Sequence, residues 1–145
     1  MKVNFTNVDD VQDFTPLPDD IYLFKLVLIE EATTQTGYDM WKLRFEVVSG
    51  PYEGRFIFDN MVFSEKAMRR VKLICYTLGV DITQEVDLTP ELLLNKYSYV
   101  TVVTEDFEDN TGVTKQRNSV PFAGYGKADD AAVQMALSTD EDVPF

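Results

Sequence analysis

Apolar residues in this chain fall into runs of strand length, and only one stretch switches to helical spacing. Ile21-Tyr22-Leu23-Phe24-Lys25-Leu26-Val27-Leu28-Ile29 is rich in β-branched and aromatic residues and ends at Glu30-Glu31, which predicts a first strand. Beyond a polar loop with Gly37, the run Met40 to Val47 alternates. It puts Trp41, Leu43, Phe45 and Val47 on one face and Lys42, Arg44 and Glu46 on the other. Trp41 therefore reads as core. Ser49-Gly50-Pro51-Tyr52-Glu53-Gly54 turns the chain into a third strand, Arg55 to Val62.

From Glu65 the period changes. Ala67, Val71, Ile74, Cys75 and Leu78 recur at helical spacing, with Ser64 as N-cap and Gly79 as stop. The outer face of this helix carries Lys66, Arg69, Arg70 and Lys72, a solvated face or an interaction surface. Thr89-Pro90-Glu91 opens a short helical turn through Leu94. Tyr97 to Thr104 and Lys115 to Val120 read as two strands joined around Asn110-Thr111-Gly112. The element order is three strands, a helix and two strands. That is the order of a mainly β, five-stranded OB-fold barrel with one α-helix between strands 3 and 4, and it also suits some open β sandwiches.

Charge divides the chain into zones. Of 145 residues, 13 are basic and 25 acidic, a formal net charge of −12. Residues 1–20 set Lys2 against five aspartates, and residues 123–145 set Lys127 against five carboxylates, so each end carries −4. The middle carries the remaining −4 but holds 11 of the 13 cations, which leaves room for a basic face. The expected division is a folded body over 1–122 and a flexible acidic tail over 123–145.

Composition excludes several chemistries. The chain has no histidine and one cysteine, Cys75, so Ser-His and Cys-His nucleophile pairs, disulfides and thiolate metal clusters are all absent. Cys75 reads as a small core residue. Four carboxylates in Glu105-Asp106-Phe107-Glu108-Asp109 raise a calcium or magnesium site, but their spacing does not match an EF-hand loop, and a solvated hairpin tip is the better reading. No catalytic residue, metal or cofactor is expected, and the protein is expected not to be an enzyme. No run has the roughly 18 apolar residues of a membrane span, and the first residues lack a signal-peptide stretch, so a cytoplasmic location is expected.

The most distinctive segment is the last one, Asp140-Glu141-Asp142-Val143-Pro144-Phe145. A negative cluster followed by an apolar pair and an aromatic ring suits a pocket with an apolar floor and a basic rim, so all six residues are candidates for partner binding. The ending resembles the acidic C-terminal tip of bacterial single-stranded DNA-binding proteins, from which it departs by Glu141 and Val143. The body resembles small bacteriophage single-stranded DNA-binding proteins with an OB fold. The resemblance lies in Phe14 to Pro18, the Gly-Pro-Tyr-Glu-Gly-Arg turn at 50–55, Phe58-Asp59-Asn60, the Lys66-Ala67 helix start and Leu78-Gly79. It implies that the protein binds single-stranded DNA in phage replication or recombination, and that the tip recruits other replication or recombination proteins.

Single-strand binding needs rings for stacking and cations along the backbone. If Val100 and Val102 face the core, Tyr97 and Tyr99 face outward as a stacking pair or as cross-strand packing, and Phe107 is an adaptable aromatic at the hairpin. Lys25, Lys42, Arg44, Lys115 and Arg117 are the candidate phosphate contacts. The tethered tail, as a polyanion, would compete with DNA for such a groove. An edge strand open to a second copy leaves a homodimer available. The alternative reading is an acidic DNA mimic or adaptor that binds a host DNA-processing enzyme. The alternation of cations and carboxylates in the body speaks against a regular mimic surface, and a carboxylate-metal nuclease has still less support.

Overall fold

The computed structural model describes residues 1–2 and 16–129. The elements are β1 (Asp20–Thr33), β2 (Asp39–Val47), β3 (Phe56–Val62), α1 (Met68–Thr77), α2 (Pro90–Leu93), β4 (Tyr97–Glu108), β5 (Thr114–Ser119) and β6 (Tyr125–Lys127). The protein is mainly β. Six antiparallel strands form one sheet in the order β3-β2-β1-β4-β5, with β6 pairing β4 beside β5. β3 and β5, at opposite ends of this order, approach one another, but no ladder joins them among the described residues and the sheet is not closed. No helix among these residues is long and apolar enough to cross a membrane.

Strand periodicity dictates the core. Phe24 and Leu26 of β1, Leu43, Phe45 and Val47 of β2, Ile57 and Met61 of β3, and Val100 and Val102 of β4 all turn to one side. There they meet Val71, Ile74, Cys75 and Leu78 from α1 and its C-terminal end. Fully burying each large aliphatic or aromatic side chain contributes about 1.5–3 kcal/mol, so this one cluster dominates the stability of the sheet. Trp41 belongs to it, its ring edge-on to Phe63 at 5.1 Å. Burial pushes the Cys75 thiol up to about 11, which keeps it protonated as a core residue.

A bulge between Leu26 and Leu28 shifts the β1–β2 register by one residue. Lys25 lies outward before the bulge and Leu28 lies outward after it, while Phe24, Leu26 and Ile29 all pack inward.

Three sequence expectations change. β1 runs on past Glu30-Glu31 to Thr33, because its last residues continue the ladder with β2, where Glu30 and Glu31 lie opposite Lys42 and Trp41. Glu105 to Glu108 is not a loop but the end of β4, paired with β5. The connection is only the turn at 109–113, where the Asp109 carboxylate accepts from the Thr111 hydroxyl and from the backbone N–H groups of Thr111 and Val113. α1 begins at Met68 instead of Glu65. Residues 64–67 form a tighter turn, in which the Ser64 hydroxyl accepts the Ala67 N–H at 3.2 Å.

The folded body also extends past the boundary expected at residue 122. β6 adds to the edge of β4, Tyr125 is only 6% exposed, and the Ser98 hydroxyl inside the sheet donates to Gly126 O at 3.1 Å. Residues 130–145, with Asp140 to Phe145, lie outside the described residues.

One polar cluster fastens β6 and α1 to β3. Asp59, facing inward between Ile57 and Met61, accepts hydrogen bonds from the Arg70 guanidinium and the Tyr125 hydroxyl, and Arg70 also donates to Asn60 O at 2.9 Å. Arg70 is thus not part of the solvated helix face. Burial works against its charge, but the Asp59 carboxylate outweighs this and holds its pKa above the usual arginine value. Burial, reinforced by Asp59, pushes the Tyr125 phenol well above the ordinary tyrosine range, so it stays a donor.

Two shortened chains measure what β6 contributes. A chain ending at residue 122 should be less stable by roughly 3 kcal/mol or more than one ending at 129, since it loses a buried aromatic and leaves Asp59 short of a donor. Urea denaturation followed by circular dichroism reads the difference, and equal midpoints would contradict the role given to Tyr125.

Candidate nucleic-acid interface

The outward face of β2 and β3 has the composition that base stacking requires. Alternation turns Lys42, Arg44 and Glu46 of β2 away from the core, as the sequence predicts. The register places Asn60, Phe58 and Phe56 of β3 opposite them. Phe58 is 69% exposed and Phe56 44%, although both lie in a strand whose alternate residues Ile57 and Met61 are buried. The Arg44 guanidinium lies over the Phe56 ring, 4.8 Å from its centre, and its Nε is sealed from solvent with no hydrogen-bond partner among the described residues. An arginine stacked on phenylalanine beside a second open ring is a flat cationic and aromatic surface.

The β3 residues of this surface line a groove of about 750 Å³ between β3 and β5. Arg55, Phe56, Phe58 and Asn60 line one side, and Gln116, Arg117 and Asn118 line the other. Asn118 anchors the floor, accepting the Leu17 N–H at 2.8 Å and donating to Leu17 O at 3.0 Å, so the buried Leu17 ties the entry segment to β5. The β4–β5 hairpin supplies Phe107, with the Arg117 guanidinium 4.7 Å from its ring centre.

The predicted residues divide into two groups. Lys42, Arg44, Phe107, Lys115 and Arg117 lie on β2 and the β4–β5 hairpin. Of these, Arg44 stacks on a ring of the groove wall and Arg117 lines the groove itself. Lys115 and Arg117 both carry carboxylate partners, Asp109 at 3.1 Å and Glu105 at 2.7 Å. Lys25, Tyr97 and Tyr99 lie on the outward face of β1 and β4. The register there is the expected one, with Ser98, Val100 and Val102 buried and the tyrosines half-buried on the other side. Lys25 stands opposite Tyr97, its Nζ 6.0 Å from the ring centre, and Tyr99 stands between Leu23 and Gly126. A cross-strand row, Tyr97-Lys25-Glu46-Phe56, connects the two groups across four strands.

Phe56 and Phe58 are the residues that sequence reasoning missed. Phe56-Ile57-Phe58 is apolar at both parities, so alternation within β3 does not give its facing. The turn at 50–54 could have given it: pairing outward from that turn puts Phe56 opposite Glu46 and Phe58 opposite Arg44, and β2 already has a legible outward face.

The sequence profile of a family described as "Protein of unknown function (DUF669)" matches residues 3–127. The chain belongs to this family. No curated protein matches it. In this member of the family, the matched region ends at Lys127, the last residue of β6.

The hairpin turn at 109–113 is built on a carboxylate held below its ordinary pKa. Hydrogen bonds from the Thr111 hydroxyl, from Lys115 and from the Val113 and Thr111 N–H groups hold the Asp109 carboxyl down to about 2, against an ordinary value of 3.8. A lowered carboxyl pKa stabilises the turn above the ordinary value, and this is lost as pH falls through the lowered one. Amide exchange at Thr111 and Val113 should therefore show constant protection down to about pH 4 and loss of it towards pH 2, once the intrinsic rate is corrected for pH. Protection unchanged at pH 2 would contradict the Asp109 assignment.

Proposed function

We propose that the chain is a single-stranded DNA-binding protein with an OB-type body, and that bases stack on the outward face of β2 and β3. The observation that carries this reading is the pair of open rings on the groove wall, Phe56 and Phe58, with Arg44 stacked on the first of them. Strand order supports the OB-type assignment. Order β3-β2-β1-β4-β5, with β3 brought near β5 and a helix between β3 and β4, is the connectivity of a five-stranded, partly open barrel, to which β6 is an addition. In that architecture the β2–β3 face and the adjoining loops are where oligonucleotides lie.

Stacking is open to every base and phosphate contacts carry no sequence, so binding is largely sequence-independent. It needs no cofactor and involves no catalysis. The resemblance of the body to phage proteins supports a role in phage DNA replication or recombination, in the cytoplasm of the host. The tip Asp140-Glu141-Asp142-Val143-Pro144-Phe145 then serves as the handle for replication or recombination proteins, apart from the groove.

Fluorescence anisotropy of a labelled dT oligonucleotide, competed with duplex of equal length, tests the reading. The full chain should bind the single strand in preference to duplex, and Phe58→Ala should weaken binding about 5- to 100-fold at an unchanged melting temperature, since stacking is worth roughly 1–3 kcal/mol per base. Failure to bind either form at low salt would overturn the proposal and favour an acidic protein that binds protein partners.

A further inference from the structure

The two cations of β5, of which Arg117 lines the groove, are both engaged, by carboxylates of different kinds. Asp109, which holds Lys115, is built into the hairpin turn through Thr111 and Val113. Glu105 accepts from Arg117 Nε at 2.7 Å and takes no other hydrogen bond among the described residues. Its side chain is 43% exposed and that of Arg117 is 59% exposed. An ion pair this open adds little to stability, so the fold does not require it. Glu105 and Arg117 nevertheless both line the groove, with Phe58 on the facing wall. The pair neutralises an arginine and sets a negative charge where a phosphate would approach.

Resting on the single-strand reading above, we infer that Glu105 limits the affinity of the groove: it holds the Arg117 guanidinium until a phosphate of the nucleic acid takes its place. The exchange is one anion for another on the same donor. The chain therefore binds more weakly, and with a shallower salt dependence, than its cations alone would give. Each phosphate neutralised by an unpaired cation steepens the slope of log K against log salt by about 0.7 for a single strand, and an arginine that arrives already neutralised contributes less.

The test uses the full chain with a labelled dT oligonucleotide at several salt concentrations, comparing wild type with Glu105→Gln, Asp106→Asn, Arg117→Gln and the Glu105→Gln/Arg117→Gln double variant. Asp106 belongs to the same strand and is exposed, but alternates to the other face and does not line the groove, so it removes an equal charge from the wrong place. Glu105→Gln should tighten binding about fivefold at about 50 mM salt and steepen the slope by up to about 0.7. Asp106→Asn should stay within about twofold, and the gain should vanish in the Arg117→Gln background. Wild-type binding with no gain from Glu105→Gln would overturn the inference while leaving the single-strand site intact. An equal gain from Asp106→Asn, or a gain that survives without Arg117, would overturn it in the same way. No binding by wild type would remove the site and the inference together.

Discussion

The Asp59 carboxylate ties three parts of the chain together, accepting the guanidinium of Arg70 from α1 and the hydroxyl of Tyr125 from β6 while itself lying on the inward face of β3. A carboxylate at this partly buried position between Ile57 and Met61 is held by those two donors and by the Asn60 N–H, since a charge drawn from water without partners is costly. Once Asp59 is inward, strand periodicity leaves β3 no choice. Phe56, Phe58 and Asn60 must face outward, and two large rings are held in solvent beside Arg44. The exposure of those rings is thus fixed by contacts on the opposite side of the strand.

The electrostatics of the groove follow from the same economy of charge. A chain of net charge −12 does not attract a polyanion at long range. Among the described residues two cations line the groove, Arg55 and Arg117, and Arg117 is paired with Glu105, while Arg44 next to the groove is stacked on Phe56. In the proposed binding mode short-range stacking supplies most of the grip, which fits a face whose most exposed large apolar side chain is Phe58. In that mode charge sets position and tunes affinity.

Much of this was legible in the sequence wherever one periodicity acted alone. The alternation of β2, the inward Val100 and Val102 of β4 and the helical spacing of Val71, Ile74, Cys75 and Leu78 all reached the structure with the expected facing. What escaped depended on contacts between distant segments. β6 is three residues long, and the glycines around Tyr125 read as tail. The sign of its place in the fold is an aromatic buried against Phe45 and Asp59, which no local pattern carries. Gly124 is tight for a related reason, since an added Cβ would lie 3.0 Å from Val120 Cγ1 and 3.1 Å from Pro121. The carboxylates of 105–109 looked like a loop because their partners, Arg117 and Lys115, become neighbours only when β5 pairs. Arg70 looked solvated because Asp59 is eleven residues away, beyond any helical spacing.

The central claim is that a single strand lies on the outward face of β2 and β3. Heteronuclear NMR of the full chain, titrated with a short dT oligonucleotide, tests it most directly. The account predicts that the largest amide shifts fall on Lys42 to Glu46, Phe56 to Asn60 and around Arg117, with little change at Arg70 and Tyr125. Shifts confined to β1 and β4 around Lys25, Tyr97 and Tyr99, or the absence of any shift, would contradict it.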